Sequence, residues 1–299
     1  MINNDKKLFL VDAYPFIYKS FYTYKKNPLI TSNGLDTSSI IGFTYFLLNI
    51  LNEESPNYMG VFFDCNKENF RKKKYKKYKS HRKITPTKIV NSIPYIKKIL
   101  KAFKIVYFNS NGYEADDLIG TIAKKAEKKG FKIYIITLDK DFLQLVTKNI
   151  KIYNPSKGYY KKILDKNYIK KKFEINNPKQ IIDLWSMMGD PTDNIPGLPG
   201  IGEKNAKKFI KKYGNIENFL NYTNELNGKI KENVEKNKYM GILSKKLLTI
   251  VTDIPYFNFI ENNFFIKKPD LYYIKNIFKE LEFKKLLKKV YKYYNKYNN

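Results

Sequence analysis

Four short apolar runs punctuate the first half of the chain, each bounded by polar residues. They are Lys7 to Val11, Tyr58 to Phe63, Ile105 to Phe108 and Lys132 to Thr137. Runs of this length predict buried parallel strands, because a strand covered on both faces shows no polar alternation. Longer helical patterns separate them. Ser38 to Leu51 is apolar on most faces, Pro86 to Ala102 begins with proline, and Ala115 to Lys129 stops at Gly130. Strand and helix in alternation predict an α/β core over residues 1–165, a mainly parallel sheet flanked by helices with right-handed crossovers. Beyond about residue 165 the strand signal fades. Lys166 to Phe173, Pro178 to Met188, Glu203 to Tyr213, Ile216 to Tyr222 and Glu232 to Val251 read as helices, interrupted by a Gly- and Pro-rich break from Gly189 to Gly202. Asp270 to Lys296 is amphipathic and basic. Residues 166–299 therefore read as a second, helical region.

Charge changes the picture next. The chain of 299 residues carries 57 Lys and Arg against 28 Asp and Glu, a formal +29. Such a balance points to a polyanionic partner. Only Arg71 and Arg82 are arginine. The remaining excess is lysine, which with Asn, Ile and Tyr is what an A+T-rich coding sequence produces, so position carries more meaning than total. One cysteine, Cys65, rules out an intrachain disulfide framework. No apolar run reaches ~18 residues, and the first residues lack a basic segment followed by an apolar one. A soluble, monomeric, cytoplasmic protein with no membrane partner is expected.

In so basic a chain, clustered acids stand out. Asp12, Asp64 and Asp139 each end an apolar strand, and in open α/β sheets the site lies beyond the carboxyl ends of the strands. Glu114, Asp116 and Asp117 open a helix, Asp141 follows Asp139 by two, and Asp190 and Asp193 lie in the Gly/Pro break. Singly, each has a structural explanation: first-turn acids suit the helix dipole, Asp139 and Asp141 suit a cap, Asp190 and Asp193 suit a turn. Asp12 and Asp64 resist such an explanation, since charge beside a buried strand is costly. Nine carboxylates at one rim repel, by about 4 kcal/mol for a pair 4 Å apart at an effective dielectric of 20. Divalent cations relieve this, and an all-oxygen donor set favours Mg²⁺ or Mn²⁺ over Zn²⁺. Two such ions suit phosphodiester hydrolysis.

Two further segments fit a nucleic-acid partner. Lys67 to Lys83 holds ten basic residues and one acid, with Phe70, Tyr75 and Tyr78 interleaved. Lysines track phosphates and aromatics stack on bases, a pairing suited to single strands; a plain solvated helix face is the alternative. Gly197 to Gly202 precedes a helix, and Gly200-Ile201-Gly202 lets backbone approach a phosphate, with Lys204 beside it.

Taken in order, these segments resemble the 5′→3′ exonuclease domain of bacterial DNA polymerase I, within the flap endonuclease family. The resemblance rests on Leu8-Phe9-Leu10-Val11-Asp12, Phe62-Phe63-Asp64, Phe70-Arg71, Tyr78-Lys79-Ser80-His81-Arg82, Gly112-Tyr113-Glu114-Ala115-Asp116-Asp117, Asp139-Lys140-Asp141, Gly189-Asp190-Pro191-Thr192-Asp193-Asn194-Ile195-Pro196-Gly197 and Gly200-Ile201-Gly202-Glu203-Lys204. It implies a PIN-like fold with a helical arch at about 65–85 and a helix-hairpin-helix at about 189–213, often organised around a K⁺ ion. It implies a structure-specific, two-metal-ion 5′-nuclease acting at 5′ flaps and nicks, in RNA primer removal and DNA repair. Asp12, Asp64, Glu114, Asp116 and Asp117 fall on one implied metal site; Asp139, Asp141, Asp190 and Asp193 fall on the second. Lys79 and Arg82 take the catalytic cationic positions, and Lys19, Arg71, Tyr75, Tyr78, Gly200, Ile201, Gly202 and Lys204 the DNA-binding ones. Implied substrates are duplex DNA with a flap or nick and RNA primer–DNA hybrids. The family domain is often fused to a polymerase; here the expectation is a separate polymerase or a fragment of one. The chain departs from the pattern at Lys73, where an acid is common, and at Lys19, where arginine is usual. A nuclease preferring RNA–DNA hybrids and an inactive DNA-junction binder stay open as alternatives.

Overall fold

The computed structural model describes residues 6–64, 69–109, 112–155 and 161–297. Six strands make one sheet: β1 Lys7–Asp12, β2 Tyr58–Phe63, β3 Val106–Asn109, β4 Lys132–Ile136, β5 Ile150–Pro155 and β6 Lys161–Leu164. Their order is β3-β2-β1-β4-β5-β6, with every neighbour parallel except β6, which runs antiparallel to β5. The register sets Val11 beside Val61 and Ile136, so β2, β1 and β4 end together at one rim.

The strands are apolar throughout because both faces are covered. Leu8, Leu10, Phe62, Ile133 and Ile135 point into one hydrophobic cluster. Phe9, Val11, Met59, Val61 and Phe63 point into the other, in the two-residue alternation of a strand. On the second face lie helices α1 Ala13–Thr23, α2 Ser38–Glu54 and, after the short α3 Phe70–Lys74, α4 Thr87–Ala102. On the first face lies α5 Ala115–Lys128. The C-terminal half adds α6 Lys166–Phe173, α7 Gln180–Met188, α8 Glu203–Tyr213, α9 Ile216–Asn221, α10 Gly228–Leu248, α11 Glu261–Phe264, α12 Leu271–Glu280 and α13 Lys284–Tyr297. Helices α7 to α10 extend the first cluster; α12 and α13 complete the second.

Three differences from expectation have local causes. Helix α1 follows Asp12 directly and was hidden by its narrow buried face, only Ala13, Phe16 and Ile17. Strand β6 is the sheet edge and β5 lies next to it; Ile150-Lys151-Ile152 alternates and β6 opens with two lysines, as edge strands often do, so neither shows a continuous apolar run. The arch expected at about 65–85 is, over its described residues, the five-residue α3 followed by a run of turns from Lys76 to His81. Cys65, Lys67 and Glu68 lie outside the described residues.

Candidate active site

Parallel strands deliver their carboxyl ends to one edge, and the acids follow. Asp12 closes β1, Asp64 follows β2, and Asp139 lies just past β4. These are three adjacent strands. The chain after β3 returns to the same edge and begins α5, placing Glu114, Asp116 and Asp117 there. Asp190 and Asp193 arrive on the turn after α7, docked by the Lys79 amide, which donates to the Asp193 carbonyl at 2.9 Å. Lys140 joins this turn to the rim, its Nζ 3.1 Å from Asp190 Oδ2.

Backbone and hydroxyl donors hold the carboxylates. The Thr137 hydroxyl donates to Asp12 Oδ2 at 2.9 Å and accepts from the Asp139 amide at 3.0 Å. The Ala115 amide donates to Asp64 Oδ1 at 2.6 Å, and the Asp141 amide to Asp139 Oδ1 at 2.9 Å. Asp141 Oδ1 is buried and has no hydrogen-bond partner. Burial, and then the crowding of like charge, raises the pKa of Asp12 and Asp116 well above the carboxylate range; Asp64 and Asp139 are raised for the same reasons. Asp141 is pushed up to about 8, by burial first and Asp139 next.

Cations meet three of these acids at the same rim. Glu114 accepts from Lys79 Nζ at 2.8 Å, Asn69 Nδ2 at 2.9 Å and the Tyr78 hydroxyl at 3.0 Å. Burial would raise Glu114, but Lys79 and then Arg71 draw it below its ordinary value. Burial would likewise raise Asp190, but the Lys140 hydrogen bond lowers it. Arg82 pairs with Asp193, and Lys79 Nζ lies 3.7 Å from the same carboxylate. Among the described residues, no three Asp, Glu, His or Cys side chains form a ready-made ion cage. Lys79, Arg82 and Lys140 instead pair with Glu114, Asp193 and Asp190.

Several sequence-based expectations need correction. Arg71, expected to face DNA, is 2% exposed and bound to Asp117 through both terminal nitrogens. Tyr78 is 4% exposed, its ring in the core and its hydroxyl on Glu114, so it offers no stacking surface. Tyr75 is half-buried against the core. Lys19 is exposed on α1. In the glycine loop the Ile201 side chain is buried, while Gly200, Gly202 and Lys204 are exposed where α8 begins. Thr137, Asn69 and Lys140 were not singled out from sequence. Only Lys140, lying between two aspartates, offered a signal.

Comparison with known proteins places these features. Residues 7–174 match the family described as 5′-3′ exonuclease, N-terminal resolvase-like domain, and residues 176–271 match the 5′-3′ exonuclease C-terminal SAM fold. A 5′-3′ exonuclease of Aquifex aeolicus is 38% identical over 289 residues, covering 95% of each chain. DNA polymerase I of Bacillus subtilis is 39% identical over 253 residues, which are 84% of this chain but 28% of that protein. The chain thus spans about a third or less of the polymerases it resembles. The fold is shared with bacteriophage T5 5′-exonuclease solved with zinc, at a TM-score of 0.69 and 21% identity over 82% of this chain and 90% of that one. It is also shared with the catalytic core of Rad2 in complex with DNA, at 0.63 and 20% over 93% and 88%. With two matched regions covering sheet and C-terminal helices alike, the chain belongs to the 5′-3′ exonuclease family.

Proposed function

We propose that this protein is a structure-specific 5′-nuclease that hydrolyses phosphodiester bonds at 5′ flaps and nicks in DNA, using two divalent cations, Mg²⁺ or Mn²⁺. The observation that carries the reading is the rim itself. Carboxylates from three adjacent parallel strands and from the first turn of α5 share one edge with Lys79 and Arg82. Family membership and the DNA-bound fold relatives support it.

The donor set fits hard cations. It is all oxygen, it contains a buried carboxylate oxygen without a partner at Asp141, and its aspartates resist ionisation together. Asp12, Asp64, Glu114 and Asp116 would hold one ion, without Asp117 of the expected set, whose oxygens already accept from Arg71 and from the Glu114 and Val251 amides, and Asp139, Asp141, Asp190 and Asp193 would hold the other. Such ions supply a water of lowered pKa and positive charge for the attacking and leaving oxygens. Thr137 keeps Asp12 and the Asp139 backbone in register across neighbouring strands. Lys79 and Arg82, which pair with Glu114 and Asp193 at the same rim, would hold the scissile phosphate and offset charge as the bond breaks. Cleavage of the bond to the 3′ oxygen leaves a 5′-phosphate. Gly200 and Gly202, with Lys204 and the start of α8, grip duplex backbone without reading bases, with K⁺ as a candidate organiser of the loop. Lys19 adds an exposed charge. RNA primer removal and DNA repair beside a polymerase are the processes this activity serves.

The test is cleavage of a 5′-labelled double-flap DNA with and without Mg²⁺, beside single-stranded and blunt duplex controls and a flap with an RNA 5′ strand. Metal-dependent cutting at the junction is expected. Tight binding with no cutting in Mg²⁺ or Mn²⁺ makes the chain a junction binder, and cutting only of the RNA strand makes it a hybrid nuclease.

A further inference from the structure

Among the described residues, Arg71 heads the largest side chains buried completely. Its NH1 and NH2 each lie 2.7 Å from an oxygen of Asp117, its Nε donates to the Leu247 carbonyl at 2.8 Å, and NH2 donates to the Thr249 carbonyl at 2.9 Å. Asp117 is fully buried too. Besides Arg71 it accepts from the Val251 amide at 2.8 Å and from the Glu114 amide at 3.1 Å. Four donors fill the roughly four acceptor sites of a carboxylate. None is left for a metal ion, and Arg71 presents nothing to a phosphate.

The partners of this pair define a seam. Residues 247–251 run from the last turn of α10 into the chain that follows it, and Gln144 grips the same stretch, donating to the Leu248 carbonyl and accepting from the Ile250 amide, both at 2.9 Å. Gln144 belongs to the short helical turn that follows Asp139. Upstream on α10, Ser244 Oγ accepts from the Gly197 amide at 3.0 Å, within the loop that carries Asp190, Asp193 and the exposed glycines. Residues 244–251 therefore join the base of the basic segment, the helix that presents Glu114 and Asp116, and the glycine loop.

We propose that Arg71 and Asp117 are positioning residues and contact neither DNA nor metal. Together they lock the first turn of α5 onto the end of α10, so that the carboxylates of one metal site are set relative to the helices that hold the duplex. This rests on the nuclease reading for its purpose, though its geometry stands apart from it. Outer-shell partners of metal ligands typically contribute 10–100-fold in metal affinity or activity, and the pair acts through Glu114 and Asp116 in this way.

The experiment uses the full chain with Arg71→Gln, Arg71→Lys, Asp117→Asn and the double variant. For Arg71→Gln, the salt dependence of binding to flap DNA keeps the wild-type slope; a slope shallower by about 0.9 marks a lost phosphate contact and overturns the proposal. Asp117→Asn, an isostere chosen to fold if Arg71→Gln does not, binds as many Mn²⁺ ions as the wild type when counted by electron paramagnetic resonance. Loss of one ion overturns the proposal. The Mg²⁺ concentration for half-maximal cleavage rises about 10- to 100-fold in Asp117→Asn and Arg71→Gln alike, and the double variant is no worse than the poorer single one. Unchanged Mg²⁺ curves, or full rescue by Arg71→Lys, contradict it, since lysine keeps the charge and loses the fork. If the wild type cuts nothing, the nuclease reading fails, while the salt slope and the Mn²⁺ count still decide the role of the pair.

Discussion

Asp141 shows at one residue how this rim stores repulsion. Its Oδ1 is buried without a partner, and burial beside Asp139 pushes its pKa up to about 8. A carboxyl group whose folded pKa lies above its unfolded value of about 3.9 binds its proton more tightly in the folded state. Its contribution to stability is therefore complete below about pH 4 and is lost as pH rises through about 8. Replacing it with asparagine removes that loss. In EDTA, the melting temperature of Asp141→Asn equals that of the wild type near pH 4 and exceeds it increasingly from pH 5 to 9. Equal midpoints at every pH would contradict the assignment. Added Mg²⁺ shifts the balance back, because an ion that binds only the folded state stabilises by mass action and its ligands must be deprotonated. Sequence made the acids legible, since charges at the ends of apolar strands are hard to explain otherwise. It did not make Arg71 or Tyr78 legible. Both sit in a segment where Lys72, Lys73, Lys74, Lys76 and Lys77 are exposed, and nothing in a run of lysines marks which side chain turns inward.

At the scale of elements, caps and turns prove to be the devices that aim the acids. Glu114 is the N-cap of α5, and Asp117 completes the capping box by accepting from the Glu114 amide. Asp139 caps the short helix after β4 through the Asp141 amide. The structural and the chemical explanations of these acids hold at once, which is why neither alone was decisive from sequence. The turn carrying Asp190 and Asp193 depends on glycine. Gly189 has φ 75° and ψ 175°, a region that only glycine adopts readily, and a β-carbon there would stand 2.6 Å from the Ile195 carbonyl. Gly189→Ala is expected to cost about 1–3 kcal/mol from backbone conformation alone, with a further loss from the clash. Urea unfolding measures the first effect, and an unchanged midpoint would show that the turn tolerates the side chain. Most helices were legible from apolar periodicity, α6 and α8 to the residue. The edge strands and α1 were not, because a narrow or alternating apolar pattern resembles loop.

For the whole molecule, the change from alternating strands to helices near residue 165 suggests two units, and the family matches also divide, at 174 and 176. Packing does not divide there. One hydrophobic cluster runs from Leu8 and Ile133 in the sheet through α5 to α7, α8 and α10. Phe264 approaches Gly60 of β2 so closely that a β-carbon there would lie 2.7 Å from its ring. Phe259 meets Phe131 edge-on at 5.1 Å, and Phe257 meets Phe108 at 5.4 Å. On the other face Ile274, Ile277 and Phe278 of α12 close the second cluster. Chain order reveals where element types change; it does not reveal which surfaces adhere, and here the later helices cover the earlier sheet. Ile250, Ile254, Phe259 and Phe264 each bury a side chain worth about 1.5–3 kcal/mol. Their sum approaches the whole net stability of a domain, about 5–15 kcal/mol. A fragment of residues 1–174 therefore loses more burial than it can spare, and exposes the sheet face from which α5 presents its acids. It is expected to melt without a cooperative transition and to bind a hydrophobic dye such as ANS, whereas residues 1–299 unfold in one step. A sharp melt with a native near-ultraviolet spectrum in the fragment would show instead that the α/β half is self-sufficient, and that the seam at residues 247–251 serves to align two stable parts.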